Sequence, residues 1–187
     1  MKNVLIISGH PDLHTSVANT AILDELAQTL PNANIRKLDG LYPSYQIDVK
    51  SEQQAILDAD IIVWQFPFHW YSMPALMKRW LDEVFLHGFS HGSNGKLGGK
   101  KLIISTTTGA QQVVYQEDAV MKHTMEQLLA PFDSIAALCN LDLQQKLYLN
   151  SVSYTNRENT EKIQAQQRMA RDYAATLVSA INEAIRK

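Results

Sequence analysis

The stretch Val4-Leu5-Ile6-Ile7-Ser8-Gly9-His10, close to the start of the chain, decides the fold. Its four consecutive apolar residues are typical of a strand that is buried on both faces. The run Ile61-Ile62-Val63-Trp64 has the same character, and Leu102-Ile103-Ile104 repeats it. Strands of this kind belong to parallel sheets that helices cover on both sides.

Apolar residues at helical spacing separate these runs. Because parallel strands joined by helices require right-handed crossovers, few topologies remain. The sequence therefore predicts an α/β fold, a three-layer, doubly wound, five-stranded parallel sheet in a single domain over residues 1–187. The remaining strands are predicted at Ile35–Leu38 and Leu147–Leu149, and the helices at residues 16–30, at 51–58, after Pro74, from Met121 to Ile135 and from Ile163 to Ile185.

The composition narrows the class of protein. With 187 residues, 45% of them hydrophobic and 19% charged, the chain has the make-up of one globular domain. A net charge of −2 gives no basic surface for nucleic acid, so no nucleic-acid partner is expected. The single cysteine, Cys139, allows no internal disulfide and is expected to be buried. The N-terminal apolar run is too short for a signal peptide, so we expect a cytoplasmic protein.

The loop after the first strand suits a phosphate. Ligands of open parallel sheets bind beyond the carboxyl ends of the strands. Residues 9–19 contain neither a dinucleotide G-x-G-x-x-G nor a P-loop motif, but Thr15, Ser16 and Asn19 stand beside His10 where a helix begins. The unpaired N–H groups of a helix N-terminus favour an anion there. The alternative is that Thr15 or Ser16 only caps the helix.

Two further loops at the same edge complete a ligand site. Residues 65–74 carry four aromatic side chains and two prolines, which suits a wall for a planar ring, although Phe66 and Trp70 could instead fill the core. Residues 105–110 add a run of hydroxyl-bearing residues that is followed by Gly109. A phosphate loop, an aromatic wall and a polar edge together fit flavin mononucleotide (FMN).

Two other clusters lie outside these three loops. His87 and His91 have metal-ligand spacing, but they stand beside glycines with no cysteine or carboxylate nearby, so no metal site is predicted. Lys96, Lys100 and Lys101 are expected to be solvated, with a dinucleotide phosphate as the alternative contact.

The combined motifs resemble the flavodoxin-like NAD(P)H:quinone oxidoreductases. The resemblance is carried by residues 9–19, by Trp64–Pro74 with the following Leu76–Asp82, and by Thr107-Thr108-Gly109, and it runs over most of residues 1–135. Within the family the chain is similar to the small bacterial members, close to the ancillary flavoproteins of the Kef potassium-efflux systems. The resemblance implies an NAD(P)H dehydrogenase (quinone) that transfers a hydride from NAD(P)H through flavin N5 to a quinone, with two-electron, ping-pong kinetics.

The resemblance also implies the site residues. Tyr115 corresponds to an active-site tyrosine, and His123 lies near the position of a family histidine whose register falls on Met121. The family's Thr-Gly-Gly is Thr-Gly-Ala here, which requires that Ala110 has no positive φ. The predicted cofactor-binding residues are His10, Thr15, Ser16, Val17, Ala18, Asn19, Pro67, Phe68, His69, Trp70, Tyr71, Thr107, Thr108, Gly109 and Ala110.

Partners and alternatives follow from the same resemblance. FMN is favoured over FAD, the acceptor is a quinone or a similar small molecule, and the family implies a homodimer. A different class of function is a regulatory subunit of a glutathione-gated potassium-efflux antiporter, held at the inner membrane through that partner. A flavodoxin-type electron carrier is the third hypothesis.

Overall fold

The computed structural model describes residues 2–187. Its centre is a five-stranded parallel sheet in the order β2-β1-β3-β4-β5. The chain moves outward in both directions from the β1–β3 pair, which makes the carboxyl ends of β1 and β3 the switch point of the sheet. The strands are β1 Val4–Ser8, β2 Asn34–Lys37, β3 Ile61–Pro67, β4 Lys101–Thr107 and β5 Asp142–Leu149.

Helices cover both faces of this sheet, and the predicted fold class is thereby confirmed. None of the helices in residues 2–187 has the length and apolar character needed to cross a membrane. The helices are α1 Ala18–Thr29, α2 Leu38–Leu41, α3 Val49–Asp58, α4 Ala75–Val84, α5 Met125–Leu128, α6 Ala130–Leu138 and α7 Thr160–Arg186.

Alternate residues of each central strand feed two separate cores. Ile6 and Val63 pack with α1 and α7 on one face. Leu5, Ile62 and Trp64 pack with α3, α4 and α6 on the other. A strand that buries both faces needs apolar residues at every position, which explains the continuous apolar runs of β1 and β3.

The strands extend beyond their apolar runs. The predicted third and fourth strands end at Trp64 and Ile104, whereas β3 and β4 continue to Pro67 and Thr107. The added residues Gln65 and Ser105 are polar yet fully buried, because they hydrogen-bond to each other. The fifth strand is also longer than predicted, since as an edge strand it is only half-buried and its pattern mixes polar with apolar residues.

The predicted helix from Met121 to Ile135 is wrong in its extent. Met121 precedes the helical region and packs against the core from outside a helix. Thr124 and Gln127 form a capping box, with side chain to backbone distances of 3.2 and 2.8 Å, and so start α5. Pro131 lies in the first turn of α6, where its missing N–H costs nothing, and so a second short helix begins there.

Two of the three lysines that were expected to be solvated are only partly exposed and also bind backbone carbonyls. The Lys100 Nζ donates to the carbonyl of Leu57 at 2.8 Å, and the Lys101 Nζ donates to that of Ala184 at 2.7 Å. These carbonyls lie at or near the carboxyl ends of α3 and α7, where a cation is favoured. Both lysines therefore bind helix carbonyls at the amino edge of the sheet and lie away from its ligand-binding edge.

A buried carboxylate fixes the face formed by α3 and α4. Glu52 is 0% exposed and accepts hydrogen bonds from the Arg36 Nε (2.7 Å), the Tyr42 hydroxyl (2.5 Å) and the Trp80 Nε1 (2.8 Å). Burial and the hydrogen bond to Glu52 raise the pKa of Tyr42 to about 12. These contacts join β2, α3 and α4, and α4 in turn anchors the loop that follows β3.

Candidate functional site

A cleft of about 820 Å³ opens at the carboxyl edge of the sheet. Its walls are the segments that follow β1, β3, β4 and β5, together with the first turn of α1 and Gln166 in the second turn of α7. The lining residues are His10, Pro11, Thr15, Ser16, Val17, Ala18, Asn19, Pro67, Phe68, His69, Trp70, Thr107, Thr108, Gly109, Ala110, Val152, Ser153, Tyr154, Arg157 and Gln166.

The structure brings the predicted cofactor-binding residues together, apart from Tyr71, which borders the cleft without lining it. The two predicted catalytic residues lie elsewhere. Tyr115 is 6% exposed and packs in the core, and His123 is exposed with its Nδ1 3.4 Å from the carbonyl oxygen of Met121. Their assignment as catalytic residues stays a prediction.

Part of the cleft wall was not predicted from the sequence. Pro11, in the loop after β1, lines the cleft without having been predicted, and so does a group of residues that follows β5. The residues after β5 could have been predicted from their position just beyond the carboxyl end of a strand, which is the rule that located the loops after three other strands. Applied to Leu147–Leu149, it points to the segment that supplies Val152, Ser153, Tyr154 and Arg157.

The loop after β1 is preorganised by its own hydrogen bonds. The Ser16 hydroxyl accepts from the Asn19 N–H at 3.1 Å, and the Thr15 hydroxyl donates to the Asp12 carbonyl at 3.0 Å. The capping interpretation is therefore correct for Ser16, and the same residue also lines the cleft. The amides of Val17 and Ala18 lie at the start of α1, where N–H groups have no acceptor within the helix.

His10 is a neutral hydrogen-bond donor in this loop. Burial, reinforced by the nearby His69, lowers the pKa of His10 to about 4. Its Nδ1 accepts the Asp12 N–H at 3.1 Å, so the proton of the neutral ring resides on Nε2. Burial also lowers the pKa of His69.

A buried chain of hydrogen bonds forms the floor of the cleft. The Asn19 Nδ2 donates to the Thr107 Oγ1 at 3.1 Å, and the Gln65 Nε2 donates to the Asn19 Oδ1 at 3.0 Å. The Ser105 hydroxyl donates to the Gln65 Oε1 at 2.5 Å and lies 2.7 Å from the Tyr173 hydroxyl, whose pKa burial raises. The chain crosses from α1 through β3 and β4 to α7, and it fixes the orientation of Asn19.

The aromatic wall is a strained turn. The Ser72 N–H donates to the His69 carbonyl at 3.0 Å, and the two residues between them, Trp70 and Tyr71, have φ values of 48° and 64°. Positive φ at both central positions is the geometry of a type I′ turn, for which Asn-Gly is the usual sequence. Trp70 is 92% exposed at the cleft, whereas Phe66 is fully buried, so the core-filling alternative holds for Phe66 only.

The loops after β4 and β5 support each other. The Val152 N–H donates to the Thr108 carbonyl at 3.0 Å, and the Ser151 N–H donates to the Ala110 carbonyl at 2.9 Å. Ala110 does not have a positive φ, which meets the condition set by the Thr-Gly-Ala sequence. A Cβ on Gly109 would lie 3.4 Å from the Ser153 Cα, at ordinary van der Waals distance, so the two loops are in close contact at this point.

Comparison with known proteins places this architecture in a family. The family model for the flavodoxin-like fold matches residues 2–176, and the chain belongs to this family. An uncharacterized NAD(P)H oxidoreductase of Bacillus subtilis, YrkL, is 42% identical over 137 residues, which cover 73% of this chain and 78% of YrkL. The glutathione-regulated potassium-efflux system ancillary protein KefF of Enterobacter sp. is 42% identical over 139 residues, which cover 74% of this chain and 77% of KefF.

Solved structures agree with the relatives. General stress protein 14 of Treponema denticola, solved in complex with FMN, superimposes with a TM-score of 0.84 at 31% identity and covers 96% of this chain and 99% of its own. The NADPH-quinone reductase from P. pentosaceus gives a TM-score of 0.72 at 26% identity, with 93% and 98% coverage. The family resemblance predicted from the sequence is confirmed.

Relieving the strained turn should stabilise the protein. Trp70→Asn replaces a side chain that buries almost nothing by one that tolerates positive φ, so we expect a gain of about 0.5–1 kcal/mol in the free energy of unfolding. Urea denaturation of wild type and of Trp70→Asn measures this difference. Val120→Asn, which removes another exposed apolar side chain, should stay within about 0.5 kcal/mol of wild type. An equal gain in both variants would contradict the strain.

The lowered pKa of His10 predicts a pH dependence of stability. Between the ordinary value of 6.5 and the folded value of about 4, the unfolded chain binds more protons than the folded one. The free energy of unfolding should therefore fall as pH drops through this window, by at most about 1.4 kcal/mol per pH unit for this one group. Urea denaturation at a series of pH values measures the slope.

His10→Gln should reduce that slope to the part of the pH dependence that His69 contributes. His14→Gln, which changes an exposed histidine of the same loop, should leave the slope as in wild type. An unchanged slope in His10→Gln would show that the acid sensitivity has another source.

Proposed function

We propose that this protein is a flavin-dependent NAD(P)H oxidoreductase that uses FMN and reduces a quinone, an NAD(P)H dehydrogenase (quinone) of the cytoplasm. One observation carries the proposal. A single cleft combines helix N-terminal amides, an exposed aromatic wall and a hydroxyl-rich edge, contributed by the segments after β1, β3 and β4. Homologues named NAD(P)H oxidoreductase and NADPH-quinone reductase support the activity.

The residues present fit FMN. The cleft volume of about 820 Å³ lies within the range of about 300–1,000 Å³ that is usual for cofactor and ligand pockets. Its phosphate end offers the amides of Val17 and Ala18 and the Nε2–H of His10, which are donors, as a phosphate requires. Its other end offers the exposed ring of Trp70 for a large planar group, beside the segment of residues 107–110.

The chain's own residues position and enclose this cofactor. The start of α1 would bind the phosphate, and the buried hydrogen-bond chain holds Asn19 in place in the floor of the cleft. The turn His69–Ser72 presents the indole of Trp70 and its own backbone to the ring. Bound FMN supplies reversible two-electron transfer between NAD(P)H and a quinone.

The use of one cleft by both substrates gives ping-pong kinetics, in which oxidised nicotinamide leaves before the acceptor enters. We propose Tyr115 and His123 as the catalytic residues. The Tyr71 hydroxyl donates to the Met121 Sδ at 3.5 Å, which connects the segment that carries Tyr115 and His123 to the aromatic turn.

An anaerobic absorption spectrum tests the oxidoreductase. We expect purified protein to carry a flavin that bleaches on addition of NADH or NADPH and recovers when menadione is added. Tyr115→Phe should bind flavin as wild type does and slow the bleaching. A flavin that stays oxidised with both NADH and NADPH would exclude the oxidoreductase and favour an electron carrier or a regulatory subunit. A protein that binds neither FMN nor FAD would overturn the proposal.

The second candidate is a regulatory subunit, favoured by the 42% identity to KefF. We infer that such a subunit would be a homodimer attached to the inner membrane through a potassium-efflux antiporter. Three exposed apolar side chains, Trp70, Val113 and Val120, are available for contact between protomers. Sedimentation velocity should give a dimer, and the protein should co-purify with membranes only when an antiporter partner is co-expressed. A monomer absent from such membranes would reject this candidate.

A further inference from the structure

The cleft holds very little permanent positive charge. Among the lining side chains of the described residues 2–187, Arg157 is the one lysine or arginine. The two lining histidines, His10 and His69, have lowered pKa values and are neutral at pH 7. The loop of residues 9–19 contains no lysine or arginine and adds the carboxylate of Asp12.

A phosphate monoester carries more negative charge than this loop compensates. It carries a charge of about −1.5 to −2 at pH 7, whereas the N-terminus of a helix contributes only about half a positive charge. The donors at the start of α1 satisfy the geometry of a phosphate and leave most of its charge uncompensated. A cation from another wall of the cleft would supply the difference.

Arg157 is held by its own segment. The Gln166 Nε2, on a residue 5% exposed, donates to the Ser153 carbonyl at 3.0 Å, and the Ser153 hydroxyl accepts from the Thr155 N–H at 3.2 Å. The resulting 3-10 turn Tyr154–Asn156 ends at Arg157, whose N–H donates to the Tyr154 carbonyl at 3.3 Å. The same segment is joined to the loop after β4, so it moves with the cleft wall.

The guanidinium is free to serve a ligand. It lies over the Tyr154 ring, 5.7 Å from its centroid, and forms no salt bridge within residues 2–187. Other arginines, such as Arg36 and Arg79, are paired with glutamates. Stacking on an aromatic ring orients the planar donors of an arginine without consuming them.

We propose that Arg157 binds the phosphate group of the flavin and makes the cleft select phosphorylated flavin over riboflavin. The proposal rests on the function proposed above and assigns a specificity-determining residue to the same site. The segment after β5, which lines the same cleft as the start of α1, thus supplies the positive charge that the loop after β1 lacks.

Flavin titrations test this assignment. The dissociation constants of FMN and of riboflavin are measured by fluorescence for wild type and for Arg157→Gln. We expect FMN to bind about 10- to 100-fold more weakly to the variant, as for the loss of a charge-assisted hydrogen bond. Riboflavin, which has no phosphate, should bind both proteins within about two-fold of each other. The salt dependence of FMN binding should also become shallower in the variant.

Two variants serve as controls. Arg157→Lys keeps the charge but loses the planar fork, so its affinity for FMN should be intermediate. Arg168→Gln removes an exposed arginine of α7 that does not line the cleft, and it should bind FMN as wild type does. Because Arg157 is exposed, its variants should fold, which circular dichroism checks.

Three results would overturn the proposal. One is unchanged affinity for FMN in Arg157→Gln. Another is an equal loss for riboflavin, which would mean that the side chain acts through packing. The third is a variant Arg157→Gln in which only the KM for NADPH rises, which would mean that the guanidinium binds the dinucleotide and not the flavin. Wild type that binds FMN but never oxidises NAD(P)H would refute the oxidoreductase and leave this test intact.

Discussion

The cleft depends on the buried hydrogen-bond chain that runs from Asn19 through Gln65 and Ser105 to Tyr173. Each member is buried, so each needs its neighbour as a hydrogen-bond partner. A buried polar group left without a partner costs about 1–3 kcal/mol. The chain connects α1 on one side of the cleft floor to α7 through two central strands. Ligand-binding geometry is therefore a property of the core, and a change at Gln65 would reach the cleft by misorienting Asn19.

A second polar cluster supports the opposite face of the sheet. Glu52 gathers Arg36, Tyr42 and Trp80 around one carboxylate and so fixes α4 relative to the strands. The strained turn precedes α4 directly. Positive φ at two bulky residues persists only where the surroundings hold the backbone at both ends. On one side β3 provides this support through its pairing with β4, and on the other side α4 provides it through Glu52.

Much of this arrangement could be predicted from sequence, and the exceptions have physical causes. The runs at Val4–Ile7 and Ile61–Trp64 predicted the buried strands, because a strand covered on both faces must be apolar throughout. The same rule predicted ends for β3 and β4 that are too early, since buried polar residues such as Gln65 and Ser105, which hydrogen-bond inside the core, look like loop residues in the sequence. The helix beginning near Met121 was predicted from spacing alone, which does not reveal the capping box at Thr124.

For the site, the rule of carboxyl ends located three loops and was not applied to the fourth. Arg157 follows a half-buried edge strand whose pattern is weak, and its contribution comes from the tertiary contacts of Ser153 and Gln166. Tyr115 illustrates the opposite case. Its position was taken from a family resemblance, and a single chain buries it in the core. Side-chain accessibility in an irregular segment depends on packing that no local pattern encodes.

The turn at Trp70 and Tyr71 has a consequence for the lifetime of the protein in a cell. A strain of about 1 kcal/mol raises the unfolded fraction about five-fold, and that fraction is what proteases degrade. A ligand that binds only the folded chain lowers the same fraction in proportion to its saturation. Molecules that have acquired cofactor should therefore outlast those that have not, and the amount of folded protein should follow the supply of flavin.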